Sequence, residues 1–264
     1  MHPGGWLIWA LGGGVVALST TNPFYLLPLF AVAWVIHAAC RRSGPGARSF
    51  RYFALFGLGA IVTRTALVLL GPVTPESVVT ASIEGLRLAV LLAVYGTFNS
   101  VCDPLRLLRL APRRFHEPAL AAALALSIAP RTIEAAAKVR EAQRVRGIDT
   151  ARWRAGPALA VPVLETGMEE AVTLAESMDA RGHGRGPRSR YRPEPFDRAA
   201  WSTAAISVAS ALAFVFCGVT GTGGLSFSSF PLQWPEASAW LVAATLALAA
   251  PAGLARYRAG GRLP

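Results

Sequence analysis

The sequence has little charge for its length. Its 264 residues are 53% hydrophobic and only 16% charged, and its mean hydropathy is +0.42. Soluble domains carry about 25% charged residues, so a water-soluble globular chain is excluded. The apolar residues occur in blocks about as long as a bilayer-spanning helix. The composition therefore predicts an all-α, polytopic membrane protein that lies in the lipid bilayer.

Cysteine is scarce as well. Cys40, Cys102 and Cys217 are isolated, with no Cys-x-x-Cys pair, which predicts neither a disulfide framework nor a thiolate metal site. The four histidines are far apart, so we expect no metal and no cofactor. No pattern of a catalytic site is present, and the ATP-binding pattern Gly-x-x-x-x-Gly-Lys-Ser/Thr is absent too. We therefore expect no catalytic residues in this chain.

The positive charge consists almost entirely of arginine. Of the 26 Lys and Arg residues, 25 are Arg, and the formal net charge is +11. Residues 102–198 hold 17 of these 26 and also 12 of the 15 acidic residues. This balanced mixture is unlike a phosphate-binding stripe, so no nucleic-acid partner is predicted. Most of the other arginines flank apolar blocks, as they do in cytoplasmic loops of membrane proteins.

Six membrane spans are predicted. As one helix, the first apolar block would run ~50 Å, so it must break, and Asn22-Pro23 supplies the break. For the first span a re-entrant hairpin is the alternative, and Gly12-Gly13-Gly14 there would allow close helix contact. The predicted spans are residues 6–20, 24–40, 53–71, 83–101, 199–219 and 237–255.

The arginines also predict the topology. Loops 20–23, 72–82 and 220–236 contain no Lys or Arg, whereas the alternate segments are rich in arginine. The positive-inside rule then places both termini in the cytoplasm of a multi-pass plasma-membrane protein. Three domains are predicted: spans one to four in 1–101, a cytoplasmic helical domain in 102–198, and spans five and six with a cytoplasmic tail in 199–264.

The cytoplasmic domain is predicted to be helical. Glu117–Ile128 predicts a helix that ends at Pro130, and Arg131–Arg146 predicts a second helix that Gly147 stops. A third helix is predicted from about Pro157 to Arg181, stopped by Gly182. Its apolar positions recur at intervals of three and four, so it is amphipathic. A connecting loop would not be this long, which indicates a working domain.

Two of these helices end in Arg-Gly. The sequences are Gln143-Arg144-Val145-Arg146-Gly147 and Met178-Asp179-Ala180-Arg181-Gly182. An arginine in the last turn followed by glycine is an ordinary helix stop. A guanidinium at a helix tip can also donate two parallel hydrogen bonds to a carboxylate of a partner protein. The residues alone leave both interpretations open.

At these residues the chain resembles the transmembrane T component of energy-coupling factor (ECF) transporters, the family of EcfT and of the cobalt-transport component CbiQ. That family has two Ala-Arg-Gly signatures at the ends of long cytoplasmic coupling helices. Ala180-Arg181-Gly182 matches fully, and Val145-Arg146-Gly147 differs by one residue. Asn22-Pro23 and Glu84-Gly85-Leu86-Arg87 are weaker similarities. The resemblance covers most of residues 20–200.

The resemblance implies a non-catalytic subunit of a bacterial ATP-driven importer. Members of the family bind two ABC-type ATPases through the coupling helices. They also bind a membrane-embedded, substrate-binding S component that releases a vitamin or a transition-metal ion, such as cobalt, inside the cell. The family thereby implies ATPase-coupling roles for Arg146, Gly147, Ala180, Arg181 and Gly182.

Three charged residues lie within predicted spans: Arg64, Glu84 and Arg87. A charge at the bilayer centre costs about 2.5 to 3.5 kcal/mol on insertion scales, so each should face protein. Glu84 and Arg87 are one turn apart and can pair, and a hairpin of spans three and four brings Arg64 to a similar depth. We predict a structural intramembrane ion pair, with a substrate or ion relay as the alternative.

Two other function classes remain open. Glu134-Ala135-Ala136 is similar to the cytoplasmic loop of conventional ABC permeases, although the glycine expected a few residues later is missing. A permease subunit of such a transporter would also couple to ATPases. A stand-alone membrane transporter or a membrane enzyme is the other class.

Overall fold

The computed structural model describes residues 2–40, 45–68, 70–71, 73–147, 156–184, 186, 195–227 and 234–254. Throughout these ranges the regular structure is helical, with no β-strand, which confirms the predicted all-α class. The helices are α1 (Pro3–Ser19), α2 (Pro23–Cys40), α3 (Pro45–Val68), α4 (Pro75–Val101), α5 (Pro104–Leu108), α6 (His116–Val145), α7 (Gly156–Ala180), α8 (Arg198–Thr220) and α9 (Ala239–Ala247). A short 3-10 turn, Arg113–Phe115, precedes α6.

Within the described ranges, five helices are long and apolar enough to cross a membrane: α2, α3 from Ser49, α4, α6 and α8. The chain is therefore a multi-pass helical membrane protein, as its composition predicts. Four of these helices coincide with predicted spans two to five. Helix α4 begins at Pro75, eight residues earlier than predicted, because Thr74 and Ser77 form a reciprocal capping box and Pro75 suits the first turn.

The first and last predicted spans differ from the rest. Helix α1 has 17 residues, which makes it shorter than the five candidate spans. The predicted span over 237–255 is not one continuous helix in the described residues up to 254, because α9 ends at Ala247 and helical structure resumes at Ala250. Two features account for this break in the helix. Pro251 has no amide hydrogen to donate, and the carbonyl of Leu248 accepts a hydrogen bond of 3.0 Å from the indole of Trp9.

The predicted helix end at Pro130 is also wrong. Helix α6 runs without interruption from His116 to Val145 and contains Pro130. A proline inside a helix removes one hydrogen bond, and the flanking turns here are rich in alanine and leucine, which favour helix strongly. The helix therefore continues through the proline. Its apolar first half makes α6 a candidate membrane span, whereas the sequence-based prediction assigns residues 102–198 to a cytoplasmic domain.

The chain forms two compact units. The first comprises residues 1–107 and 194–264, and the second comprises residues 108–193. In the first unit α3 packs on α4, α1 packs on α8 and α4, and α2 packs on α4 and α9. Its core contains the fully buried side chains of Trp9, Tyr25 and Phe214. In the second unit α6 packs on α7.

Glycine permits two very close helix contacts in the first unit. A Cβ atom at Gly12 of α1 would lie 2.8 Å from the carbonyl oxygen of Ser207 in α8. A Cβ atom at Gly85 of α4 would lie 2.6 Å from the Cα atom of Ile61 in α3. Small residues at such crossings allow backbones in a membrane to approach closely. Any larger residue at either position must separate the two helices.

Candidate functional site

Helix α6 ends one residue before the arginine of its Arg-Gly pair. The Arg146 amide donates to the carbonyl of Ala142 at 3.2 Å. Gly147 has a φ of 79°, and its amide donates to the carbonyl of Arg144 at 3.0 Å. This left-handed conformation is easily adopted by glycine and carries a steric penalty for other residues. Gly147 therefore stops the helix.

Helix α7 ends in the same way. It ends at Ala180, and Gly182 has a φ of 76° with its amide donating to the carbonyl of Asp179 at 2.8 Å. The amide of His183 donates to the carbonyl of Met178 at 3.0 Å. These two bonds together form a complete Schellman motif. The structure therefore places Arg181, like Arg146, at the residue between the helix and a left-handed glycine.

The two arginines at these helix ends lie at the surface. Arg146 and Arg181 are exposed, and the helix ends are closed by backbone hydrogen bonds. A guanidinium in this position lies beside the negative end of the helix dipole and keeps its planar set of donors available. Each tip can therefore present two parallel N–H groups to a carboxylate.

Large apolar side chains are also exposed in this second unit. On α7, Leu164, Met168 and Val172 are 65%, 71% and 58% exposed, and Val161 is exposed with them. Their spacing of three and four residues places them on one helix face. An exposed row of this kind is typical of a surface that contacts another protein or lipid.

Of the three charged residues in the predicted spans, Arg64 and Glu84 form an ion pair. Arg64 of α3 lies with Nη2 2.5 Å from Oε2 of Glu84 in α4. The partner of Glu84 is therefore Arg64 and not Arg87, its neighbour on the same helix. The guanidinium of Arg64 and the carboxylate of Glu84 meet where α3 packs on α4, and both side chains remain almost half exposed, at 47% and 44%.

Arg87 caps the end of another helix. Its Nε donates to the carbonyl of Ala17 at 3.1 Å, and its Nη2 donates to the carbonyl of Leu18. Both carbonyls belong to the last turn of α1, where backbone acceptors have no partner within the helix. The positive charge also complements the negative end of the α1 dipole. These acceptors explain why Arg87 turns away from Glu84.

A buried polar cluster joins two loops that the sequence analysis did not connect. Asn22 is fully buried, and its Nδ2 donates to the carbonyls of Gly224 at 2.8 Å and Glu236 at 2.7 Å. Its Oδ1 accepts from the amide of Phe24 at 2.9 Å. The hydroxyl of Tyr25 donates to Gly223 at 2.6 Å. The sequence signal for this cluster is the polar side chain of Asn22 between two apolar blocks, because a buried amide needs hydrogen-bond partners.

The chain is similar to a curated protein, the energy-coupling factor transporter transmembrane protein EcfT of Lacticaseibacillus paracasei. The two are 30% identical over 120 residues. This is 43% of the present chain and 44% of that protein, so the chain spans less than half the length of this relative. No family model matches the chain. The similarity to EcfT supports the resemblance drawn from the Arg-Gly helix ends.

The described part of the chain brings together no three His, Cys, Asp or Glu residues that could hold a metal ion. His37 takes part in helix packing. Its Nδ1 lies 2.9 Å from the hydroxyl of Ser100, and its ring stacks on Phe50 with centroids 3.7 Å apart. Contacts to α3 and α4 thus hold this ring at the end of α2.

Proposed function

We propose that the chain is the membrane-embedded coupling subunit of an ATP-driven importer of the ECF type. Two ABC-type ATPases dock on the tips of α6 and α7, and a substrate-binding S component lies beside the chain in the membrane. The S component carries a vitamin or a transition-metal ion such as cobalt. The importer belongs in a bacterial plasma membrane, with both termini of this chain in the cytoplasm.

The pair of matching helix ends carries the proposal. Arg146 and Arg181 each stand between the last helical residue and a glycine with a φ of 79° or 76°. Backbone hydrogen bonds already complete both stops, so a stop alone does not need two arginines. Two equivalent tips in one compact unit suit two similar ATPases.

Arginine suits such an anchor better than lysine does. Its guanidinium forms two parallel hydrogen bonds with a carboxylate, and this geometry holds the partner in one orientation. A rigid helix behind each anchor can then transmit a displacement of the ATPase. The left-handed glycine fixes the direction in which the chain leaves the tip, which keeps the tip short and accessible.

The exposed apolar row on α7 supports a second contact. Val161, Leu164, Met168 and Val172 lie in the same unit as both arginine tips. Burying apolar side chains of this size stabilises an interface by about 1.5 to 3 kcal/mol each. We assign this row to the contact with the S component. Motion at the tips would then reach the S component through α6 and α7.

In this proposal the chain is not an enzyme. ATP hydrolysis belongs to the two partner ATPases, and this chain converts their motion into release of substrate from the S component. The purified chain alone is therefore expected neither to hydrolyse ATP nor to transport.

Affinity purification of the tagged chain from its native host tests the proposal. We expect two ABC-type ATPase subunits and a small, apolar membrane protein to copurify in mild detergent. As a control, ATP hydrolysis is measured with the chain purified without its partners. Recovery of the chain without any ATPase, or hydrolysis by the chain alone, would exclude an ECF coupling subunit.

A further inference from the structure

A cleft lined by apolar and polar side chains opens on the side of the α3–α4 pair. Its volume is about 340 Å³, and it is open to the outside rather than enclosed. Four polar side chains line it, namely Arg64, Ser77, Thr80 and Glu84. The cleft therefore offers both signs of charge, together with two hydroxyl groups, between two candidate membrane spans.

The ion pair in the cleft leaves both groups with unused capacity. Arg64 and Glu84 meet through Nη2 and Oε2 at 2.5 Å. A guanidinium has five N–H donors and a carboxylate has about four acceptor positions. Both side chains remain almost half exposed, and charges in a membrane require polar partners. A ligand with one anionic and one cationic group would satisfy both.

The backbone already engages both hydroxyl groups of the cleft. Ser77 donates its hydroxyl hydrogen to the carbonyl of Thr74 at 2.8 Å and accepts from the amide of Thr74 at 3.0 Å. Thr80 donates to the carbonyl of Glu76 at 2.7 Å. Glu84 is therefore the acceptor that the cleft offers to a cation with N–H donors.

The position of the cleft indicates a lipid. Arg64 lies one turn before Val68, the last residue of α3, which is ~6 Å along the helix axis. Leu67 and Val68 provide an apolar wall beside the polar groups. Along the same helix Phe56 is 71% exposed, as expected of a surface that faces acyl chains. An amphiphile can place its polar group in the cleft and its chains along α3.

We propose that this cleft binds the headgroup of a phospholipid that carries a primary amine, of the phosphatidylethanolamine type. Its phosphate lies on the guanidinium of Arg64. Its ammonium donates hydrogen bonds to the carboxylate of Glu84. A choline headgroup has no N–H donor, and a glycerol headgroup has no cation to place beside Glu84. The site therefore selects for the primary amine.

Native mass spectrometry of the delipidated chain tests this site. The chain is titrated with phosphatidylethanolamine, phosphatidylcholine or phosphatidylglycerol of the same acyl composition, and bound lipids are counted. We expect phosphatidylethanolamine to bind about tenfold or more tightly than the other two lipids. A hydrogen bond to a charged group contributes enough free energy to change the affinity by at least this factor. Arg64→Gln and Glu84→Gln should each abolish this preference. Arg51→Gln removes a charge from the same helix away from the cleft, and should retain it.

A second variant separates binding from folding. Thr80→Phe fills the cleft and keeps the Arg64–Glu84 pair, so it should lose the preference with an unchanged melting temperature. Equal binding of the three lipids, or a preference that survives Thr80→Phe and both charge variants, would overturn the proposal and leave the cleft to a protein partner. Equally tight binding of glycerophosphoethanolamine, which has no acyl chains, would overturn the lipid assignment.

Discussion

Replacing Asn22 by alanine should destabilise the membrane unit strongly. The Asn22 side chain is fully buried and makes three hydrogen bonds, two as donor to the carbonyls of Gly224 and Glu236 and one as acceptor from the amide of Phe24. Losing the helix cap costs about 1 kcal/mol. Losing two buried hydrogen bonds costs about 1 kcal/mol each and leaves two carbonyls without this donor. The expected loss is therefore about 3 kcal/mol.

Aspartate at the same position separates two roles of Asn22. It keeps the oxygen that accepts from Phe24, so a residue needed only as a helix cap would tolerate the change. It loses both N–H donors and places a carboxylate against the carbonyls of Gly224 and Glu236. We therefore expect Asn22→Asp to destabilise the protein at least as much as Asn22→Ala.

Thermal unfolding in detergent, followed by size-exclusion chromatography of a fluorescent fusion, measures both variants. A loss of about 3 kcal/mol corresponds to a melting temperature lower by roughly 6 to 10 °C in a chain of this size. Thr222→Ala is the matched control, since Thr222 lies in the same loop region but is exposed, and it should change little. If the melting temperature of Asn22→Ala lies within about a degree of wild type, or if Asn22→Asp leaves it unchanged, the buried cluster does not join the two loops.

Three further outcomes are expected. Gly85→Leu should lower the melting temperature, because its Cβ atom would lie 2.6 Å from the Cα atom of Ile61 and push α3 away from α4. The expected loss of stability is about 1 to 3 kcal/mol. An unchanged melting temperature would show that the two helices are in looser contact. Arg87→Gln should lower the melting temperature in the same assay, and Arg87→Lys should lower it less because lysine keeps the positive charge at the end of α1. Equal melting temperatures for the wild type and both variants would contradict the cap on α1. In a cysteine-free background, a cysteine at Thr222 should react with an impermeant reagent from outside and one at Ser49 should not, and the reverse pattern would invert the topology.

The helical class could be predicted because apolar blocks and their proline boundaries are local signals. Pro23 and Pro75 each begin a helix, where their fixed φ fits and their missing amide hydrogen is not needed. Pro130 carried the same signal but lies within α6, since good helix-forming neighbours outweigh one lost hydrogen bond. Local signals therefore predicted where helices occur better than where each one ends.

The partners of the polar side chains could not be predicted from local sequence. Asn22 bonds to residues more than 200 positions away, and Arg87 bonds to the end of a helix about 70 positions earlier. Only the packing of α1 against α4 and α8 brings these groups together. The Arg-Gly ends are different, because a helix stop is determined by neighbouring residues, and Gly147 and Gly182 adopt the left-handed conformation expected of them.

The most direct test of the coupling role uses the two arginine tips. Coexpressed ATPase subunits are pulled down from detergent extracts with the wild-type chain, with Arg146→Glu/Arg181→Glu, or with Arg140→Glu, an exposed arginine on α6 before its tip. Breaking a desolvated charge pair costs ~2 to 5 kcal/mol, which weakens binding roughly thirtyfold to several-thousandfold. The double variant should be folded and membrane-inserted yet lose the ATPases, while Arg140→Glu retains them. Wild-type recovery of the ATPases by the double variant would contradict the account and reduce both arginines to helix stops.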